Sequence, residues 1–118
     1  MANPYGVPGL SVEEVAEKRE NGEDFILMDV REAHELNFAS LEDVTLVPMS
    51  QLASKQLAAL PPEIADNKEA EVVVMCHTGN RSSQVTMWLR QQGWTNVVNM
   101  DGGIDAWARR IDPDVGFY

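Results

Sequence analysis

The chain holds a single cysteine, Cys76, so no disulfide can form within it and no second thiol can resolve a modified Cys76. Its only histidines are His34 and His77, with no second cysteine near either, which rules out a structural zinc site and leaves no metal or other cofactor expected. Long apolar runs are missing too. The longest, Val72 to Cys76, falls far short of the ~20 residues that a membrane-crossing helix needs. Met1 to Gly9 has neither a basic cluster nor an apolar stretch, so no secretory signal is expected and a cytoplasmic address is the default. Basic residues are scarce: nine Lys and Arg stand against nineteen Asp and Glu, a net charge of −10. That balance argues against broad binding to nucleic acid or to anionic membrane. It also means that no long-range field draws a small anion in. Any anion pocket must be built locally, from backbone N–H groups and an arginine or two, inside the ~8 Å Debye length.

What is present reads as one ordinary globular domain over residues 1–118, with a core at about 10–111, a short N-terminal arm and a tail. Helical and strand signals alternate. Ser11 and Glu14 form a capping box ahead of a helix that Gly22 closes, and Phe25 to Met28 reads as a buried strand ending at Asp29. Arg31 to Asn37 suits a short helix, and Val44 to Val47 a second strand closed by Pro48. Ser50 can cap a helix running through Leu52, Leu57 and Leu60 until Pro61 and Pro62 break it. Glu71 to Met75, with three successive valines, is the strongest strand signal. Ser82 to Gln92 reads as a helix, Asn96 to Asn99 as a strand, and Ile104 to Ile111 as a last helix, followed by an irregular tail from Asp112 to Tyr118. Apolar strands separated by helices predict an α/β fold: a mostly parallel central sheet with helices on both faces. In such sheets the ligand site lies beyond the carboxyl ends of the strands, where Cys76 falls.

The segment from Cys76 to Ser83 carries most of the chemistry. A buried strand delivers the cysteine to the sheet edge, and Gly79 with the turn-tolerant Asn80 then bends the chain into a helix. Several backbone N–H groups can converge there, beside the positive end of the helix dipole, and Arg81 adds a charge at the rim. Such a cradle suits a sulfur anion and an anionic donor. A lone cysteine after a valine-rich strand is more often an inert small hydrophobe; the glycine, asparagine, arginine and helix start that follow reverse that balance.

At this point the chain resembles the rhodanese-like domains, from about Ser11 to Trp107. Leu27 to Glu32 is similar to the family's first strand and its Asp-Val-Arg-Glu turn, and Val47-Pro48-Met49 to the segment after the next strand. Cys76 to Arg81 resembles the six-residue active-site loop, and Asp101-Gly102-Gly103 with Trp107 the Gly-Gly turn and tryptophan of the last helix. One stretch departs: where many members read His-Ile-Pro-Gly-Ala, this chain has Ser40-Leu41-Glu42-Asp43-Val44. The resemblance implies a sulfurtransferase. Cys76 attacks the sulfane sulfur of a donor such as thiosulfate and becomes a persulfide, which an acceptor thiol or cyanide then attacks. It also implies that the loop amides from His77 through Thr78, Gly79, Asn80 and Arg81 to Ser82 hold the persulfide, and that Arg81 holds the donor's anionic end. The implied partners are a small anionic sulfur donor and a thiol acceptor from outside the chain, with a protein donor or acceptor as a further option.

Asp29 and Arg31 are expected to form a supporting polar network rather than to exchange protons. The His77 side chain is expected to face solvent, His34 to be exposed, Trp88 and Trp107 to pack in the core, and Trp94 to be partly exposed. Glu13, Glu14 and Glu17 read as a solvated helix face. Two rivals stand beside the sulfurtransferase. Cysteine-dependent phosphatases use a similar cradle, but with five residues between cysteine and arginine; here four, His77 to Asn80, separate Cys76 from Arg81. A docking or regulatory module, or a protein-to-protein sulfur carrier, is the other.

Overall fold

The computed structural model describes Asn3 and residues 5–118. Five strands form one sheet: β1 (Gly9–Leu10), β2 (Ile26–Asp29), β3 (Thr45–Leu46), β4 (Val72–Met75) and β5 (Val97–Met100). Their order is β1-β5-β4-β2-β3, and every pairing is parallel. Parallel neighbours cannot be joined by tight hairpins, so the chain crosses over through helices, and both sheet faces become covered. These are α1 (Val12–Glu20), α2 (Met49–Lys55), α3 (Pro62–Ala65), α4 (Asn80–Gln91) and α5 (Gly103–Arg110).

The run of valines in β4 follows from this burial. Val72, Val74 and Cys76 point to a core shared with Leu52, Ile64 and Leu89, from α2, α3 and α4. Val73 and Met75 point to the opposite core, with Val12 and Val15 of α1 and Ile104 and Trp107 of α5. A strand apolar on both faces belongs at the sheet centre, and β4 lies there, between β2 and β5.

Several expectations are corrected. Of the expected N-terminal arm, Met1, Ala2 and Pro4 lie outside the described residues, while Gly9–Leu10 adds an edge strand beside β5. The short helix expected over Arg31 to Asn37 is present as a 3-10 helix, Ala33–Asn37. Ser50 does not cap a helix: it lies inside α2, whose cap is Pro48, and its hydroxyl donates to Glu32 Oε1 at 2.6 Å. The expected helix to Leu60 breaks at Gln56, which takes φ +56, and Gln56–Ala59 forms a 3-10 turn. Pro62 then opens α3, since a first-turn proline gives up no hydrogen bond. Trp94 is only 3% exposed, and its indole N–H donates to the Ile64 carbonyl at 2.8 Å. Its place directly after Gly93 concealed this, because the turn folds the ring back under α3. By contrast the capping box of Ser11 and Glu14 forms as expected and Glu13, Glu14 and Glu17 are exposed, with Glu13 paired to Arg110. In the departing segment, Asp43 takes φ +58 where the family pattern has glycine, a conformation that aspartate tolerates better than most residues.

Candidate functional site

Cys76 follows β4 directly and is 1% exposed. The loop that follows is short because Gly79 adopts φ +105 and caps α4, so the helix begins at Asn80, two residues before the expected start. Folding back this way, the Gly79 N–H donates to Cys76 Sγ at 3.1 Å, and Ser82 Oγ lies 3.3 Å from the same sulfur. A thiol can donate to Ser82; a thiolate instead accepts from the Ser82 hydroxyl, which is free to rotate. The sulfur sits at the start of a twelve-residue helix, where unpaired N–H groups and the dipole favour negative charge.

A second helix orients the loop from behind. The N–H groups of Ile104 and Asp105, in the first turn of α5, donate to the carbonyls of Cys76 and His77, each at 2.9 Å. The loop carbonyls are thereby tied to α5. This contact needs Gly103: a Cβ there would lie 2.4 Å from the His77 carbonyl oxygen. Gly79 is packed in turn against Gly102, whose nitrogen would stand 3.2 Å from a Cβ at position 79.

Asp29 and Arg31 lie beside the loop, because β2 pairs with β4 and places Asp29 opposite Met75. Both are fully buried. Arg31 Nη2 donates to Asp29 Oδ2 at 2.8 Å, Nε reaches both carboxylate oxygens at 3.1 Å, and Nη1 donates to the Ala39 carbonyl at 2.9 Å. Nη1 also donates to the Tyr118 hydroxyl at 3.1 Å, and neither Asp29 nor Arg31 hydrogen-bonds the Cys76 sulfur.

Arg81 stands at the end of the loop, but its charge is engaged. Nη1 and Nη2 grip the two carboxylate oxygens of Glu35 at 2.7 and 2.8 Å. Glu35, 8% exposed, also accepts from the Tyr118 hydroxyl at 2.8 Å and from the Glu32 N–H at 2.8 Å. Arg81, opposed only in part by burial, holds its carboxyl at about 2, well below the ordinary 4.5. The positive charge expected at the rim is therefore compensated within the fold. His77, expected to face solvent, is instead half-buried under Tyr118: the two rings stack at 3.8 Å between centroids and 10° between planes. The Thr78 and Asn80 side chains are exposed. His34 is exposed, Trp107 is buried, and Trp88 is partly buried against the core.

Sequence reasoning missed Glu35, Tyr118 and the contribution of the Ser82 hydroxyl. Glu35 had a signal, since Glu32 and Glu35 have the spacing of a capping box and form one. Tyr118 had none: nothing local ties a tail residue to a loop forty positions away.

With this geometry in place, comparison with known proteins is informative. The model of the family described as rhodanese-like domain matches residues 11–110. An adenylyltransferase and sulfurtransferase of Zea mays, MOCS3-1, is 37% identical over 84% of this chain, although the chain spans only 21% of that protein's length. A sulfurtransferase of Allochromatium vinosum is 34% identical over 87% of this chain and 90% of its own. Among solved structures, the human single-domain sulfurtransferase TSTD1 superposes with a TM-score of 0.72 at 25% identity, covering 89% of this chain and 98% of that one. The all-parallel sheet, the Cys76 loop at its edge and these matches together show that the chain belongs to the rhodanese-like domain family.

Proposed function

We propose that the protein is a sulfurtransferase that moves a sulfane sulfur from a donor such as thiosulfate, or a persulfide, to an acceptor thiol or cyanide, through a persulfide on Cys76. In the first step the Cys76 thiolate attacks the outer sulfur of the donor; a new S–S bond forms, the donor's S–S bond breaks, and sulfite or a thiolate leaves. In the second step the acceptor attacks the outer sulfur, and the Cys76 thiolate is released. With no second cysteine in the chain, the acceptor comes from outside. The loop amides from His77 to Ser82 and the Ser82 hydroxyl stabilise the terminal sulfur anion, while Asp29 and Arg31 keep β2 and the loop in register. The observation that carries this reading is the position of Cys76 Sγ, within 3.1 Å of the Gly79 N–H and 3.3 Å of Ser82 Oγ, at the head of α4. A lone thiol used in this way fits a reducing compartment such as the cytoplasm.

The test is the intact mass of the reduced protein after incubation with thiosulfate, beside a Cys76→Ala variant. A gain of one sulfur (about 32 Da) in the wild type alone, removed by cyanide or a thiol, is the expected result. No gain with thiosulfate or with a small-molecule persulfide, in a folded protein with a free thiol, rejects the reading and leaves a docking module or a protein-to-protein sulfur carrier.

A further inference from the structure

The Cys76 site has two ion pairs around it, and both are closed. Asp29 with Arg31 cancels, and Glu35 with Arg81 cancels. Glu35 is not free to release Arg81. It is held by the Glu32 N–H and the Tyr118 hydroxyl, and that hydroxyl accepts in turn from Arg31 Nη1 at 3.1 Å. The Tyr118 ring stacks on His77 at 3.8 Å between centroids and on Phe38 at 5.7 Å. Turning Arg81 toward a donor would take the counter-charge from a nearly buried carboxylate and leave it two neutral hydrogen bonds, a costly exchange. What remains to attract negative charge is the Gly79 N–H, the Ser82 hydroxyl and the α4 terminus, the last equivalent to roughly half a charge.

That field is adequate for one sulfur anion and poor for several. Attack of the Cys76 thiolate on thiosulfate gathers three negative charges, one from the thiolate and two from the donor. Attack on a protonated persulfide, R–S–SH with an uncharged R, gathers one. In that reaction the Cys76 Sγ–S bond forms, the R–S bond to the transferred sulfur breaks, and R–S⁻ departs with the electron pair. The proton stays on the transferred sulfur. We propose that Glu35 and Tyr118 set the donor specificity of the Cys76 site: by holding Arg81 they withdraw its charge from the donor's path, so persulfides of small uncharged thiols are used in preference to dianionic thiosulfate. This rests on the reading of Cys76 as a persulfide-forming nucleophile. Glu35 and Tyr118 act through Arg81 and are positioning residues.

The experiment compares kcat/KM for thiosulfate with that for the persulfide of an uncharged thiol, 2-mercaptoethanol, in the wild type, Glu35→Gln and Tyr118→Phe, with thermal melts to confirm folding. The wild type is expected to favour the persulfide. Glu35→Gln, which frees Arg81 and removes a negative charge, should shift the ratio toward thiosulfate by about tenfold, and the gain should fade as salt is raised. Tyr118→Phe keeps the ring stack and should shift the ratio the same way by a smaller factor. A merely structural role would depress both donors together and leave the ratio alone. A wild type that prefers thiosulfate, or a ratio unmoved in the variants, overturns the proposal while leaving sulfur transfer intact. If neither donor loads Cys76, sulfur transfer itself falls, and this inference with it. Should Glu35→Gln fail to fold, the wild-type ratio and Tyr118→Phe still decide.

Discussion

Replacing Gly103 by alanine tests whether the close approach of α5 shapes the Cys76 loop. Gly103 has φ +63, and a Cβ there would lie 2.4 Å from the His77 carbonyl oxygen, 2.6 Å from its carbon and 2.7 Å from the Cys76 carbonyl oxygen. All three are backbone atoms, so no side chain can swing aside. The left-handed backbone costs a non-glycine residue about 1 kcal/mol. Separating α5 from the loop stretches the two 2.9 Å hydrogen bonds from Ile104 and Asp105, at about 1 kcal/mol each, for a total near 3 kcal/mol. Gly22 supplies a matched control: its φ is +67, and a Cβ there would meet nothing within 4 Å. Gly22→Ala should therefore lose only the ~1 kcal/mol of backbone strain. Urea unfolding of both variants, followed by thiosulfate loading of Cys76 read by intact mass, separates the two effects. Gly103→Ala is expected to lose about 2 kcal/mol more than Gly22→Ala, or about 8 °C in Tm, and to load at least about tenfold more slowly. Gly22→Ala should load at the wild-type rate. Equal stability losses in the two variants, with equal loading rates, would refute the claim that α5 positions the loop.

Two further outcomes follow from the ion pairs. Asp29→Asn leaves Arg31, 0% exposed, without its counter-charge, so a loss of about 3–5 kcal/mol is expected in chemical denaturation, far more than a surface carboxylate costs; a loss under about 1 kcal/mol would mean that the network is not a buried ion pair in solution. For Glu35 the folded carboxyl lies at about 2, below its ordinary 4.5, so its contribution is full above about 4.5 and is lost as pH falls toward 2. After discounting for the third of the Arg81 side chain that solvent reaches, that contribution is about 2 kcal/mol. The stability difference between wild type and Glu35→Gln, followed by urea unfolding from pH 6 to pH 2, should shrink over that window. A difference independent of pH would contradict the pairing with Arg81.

The α/β class, the buried strand carrying Cys76 and the turn into a helix were legible because each rests on local chemistry. Three valines in a row can only be satisfied by apolar cover on both faces, and Gly79 marks where the backbone must turn left-handed. The capping box at Ser11 is equally local. Failures came where a tertiary contact overrode a local preference. Ser50 has the chemistry of a helix cap but spends its hydroxyl on Glu32, eighteen residues away. Trp94 follows a glycine that suggested exposure, yet its indole finds a carbonyl thirty residues away.

The same division runs through the site. Sequence alone put Cys76, Gly79 and Ser82 in one seven-residue segment where a strand gives way to a helix, and the fold brings the Gly79 N–H and the Ser82 hydroxyl onto the sulfur. Sequence also placed Arg81 at the end of that loop. Only the tertiary structure decided what that arginine does, because its partner Glu35 comes from the 3-10 turn after β2, and Tyr118, which holds Glu35, comes from the tail. The pairing of charges across a fold depends on distances through space, and local sequence patterns carry no record of those.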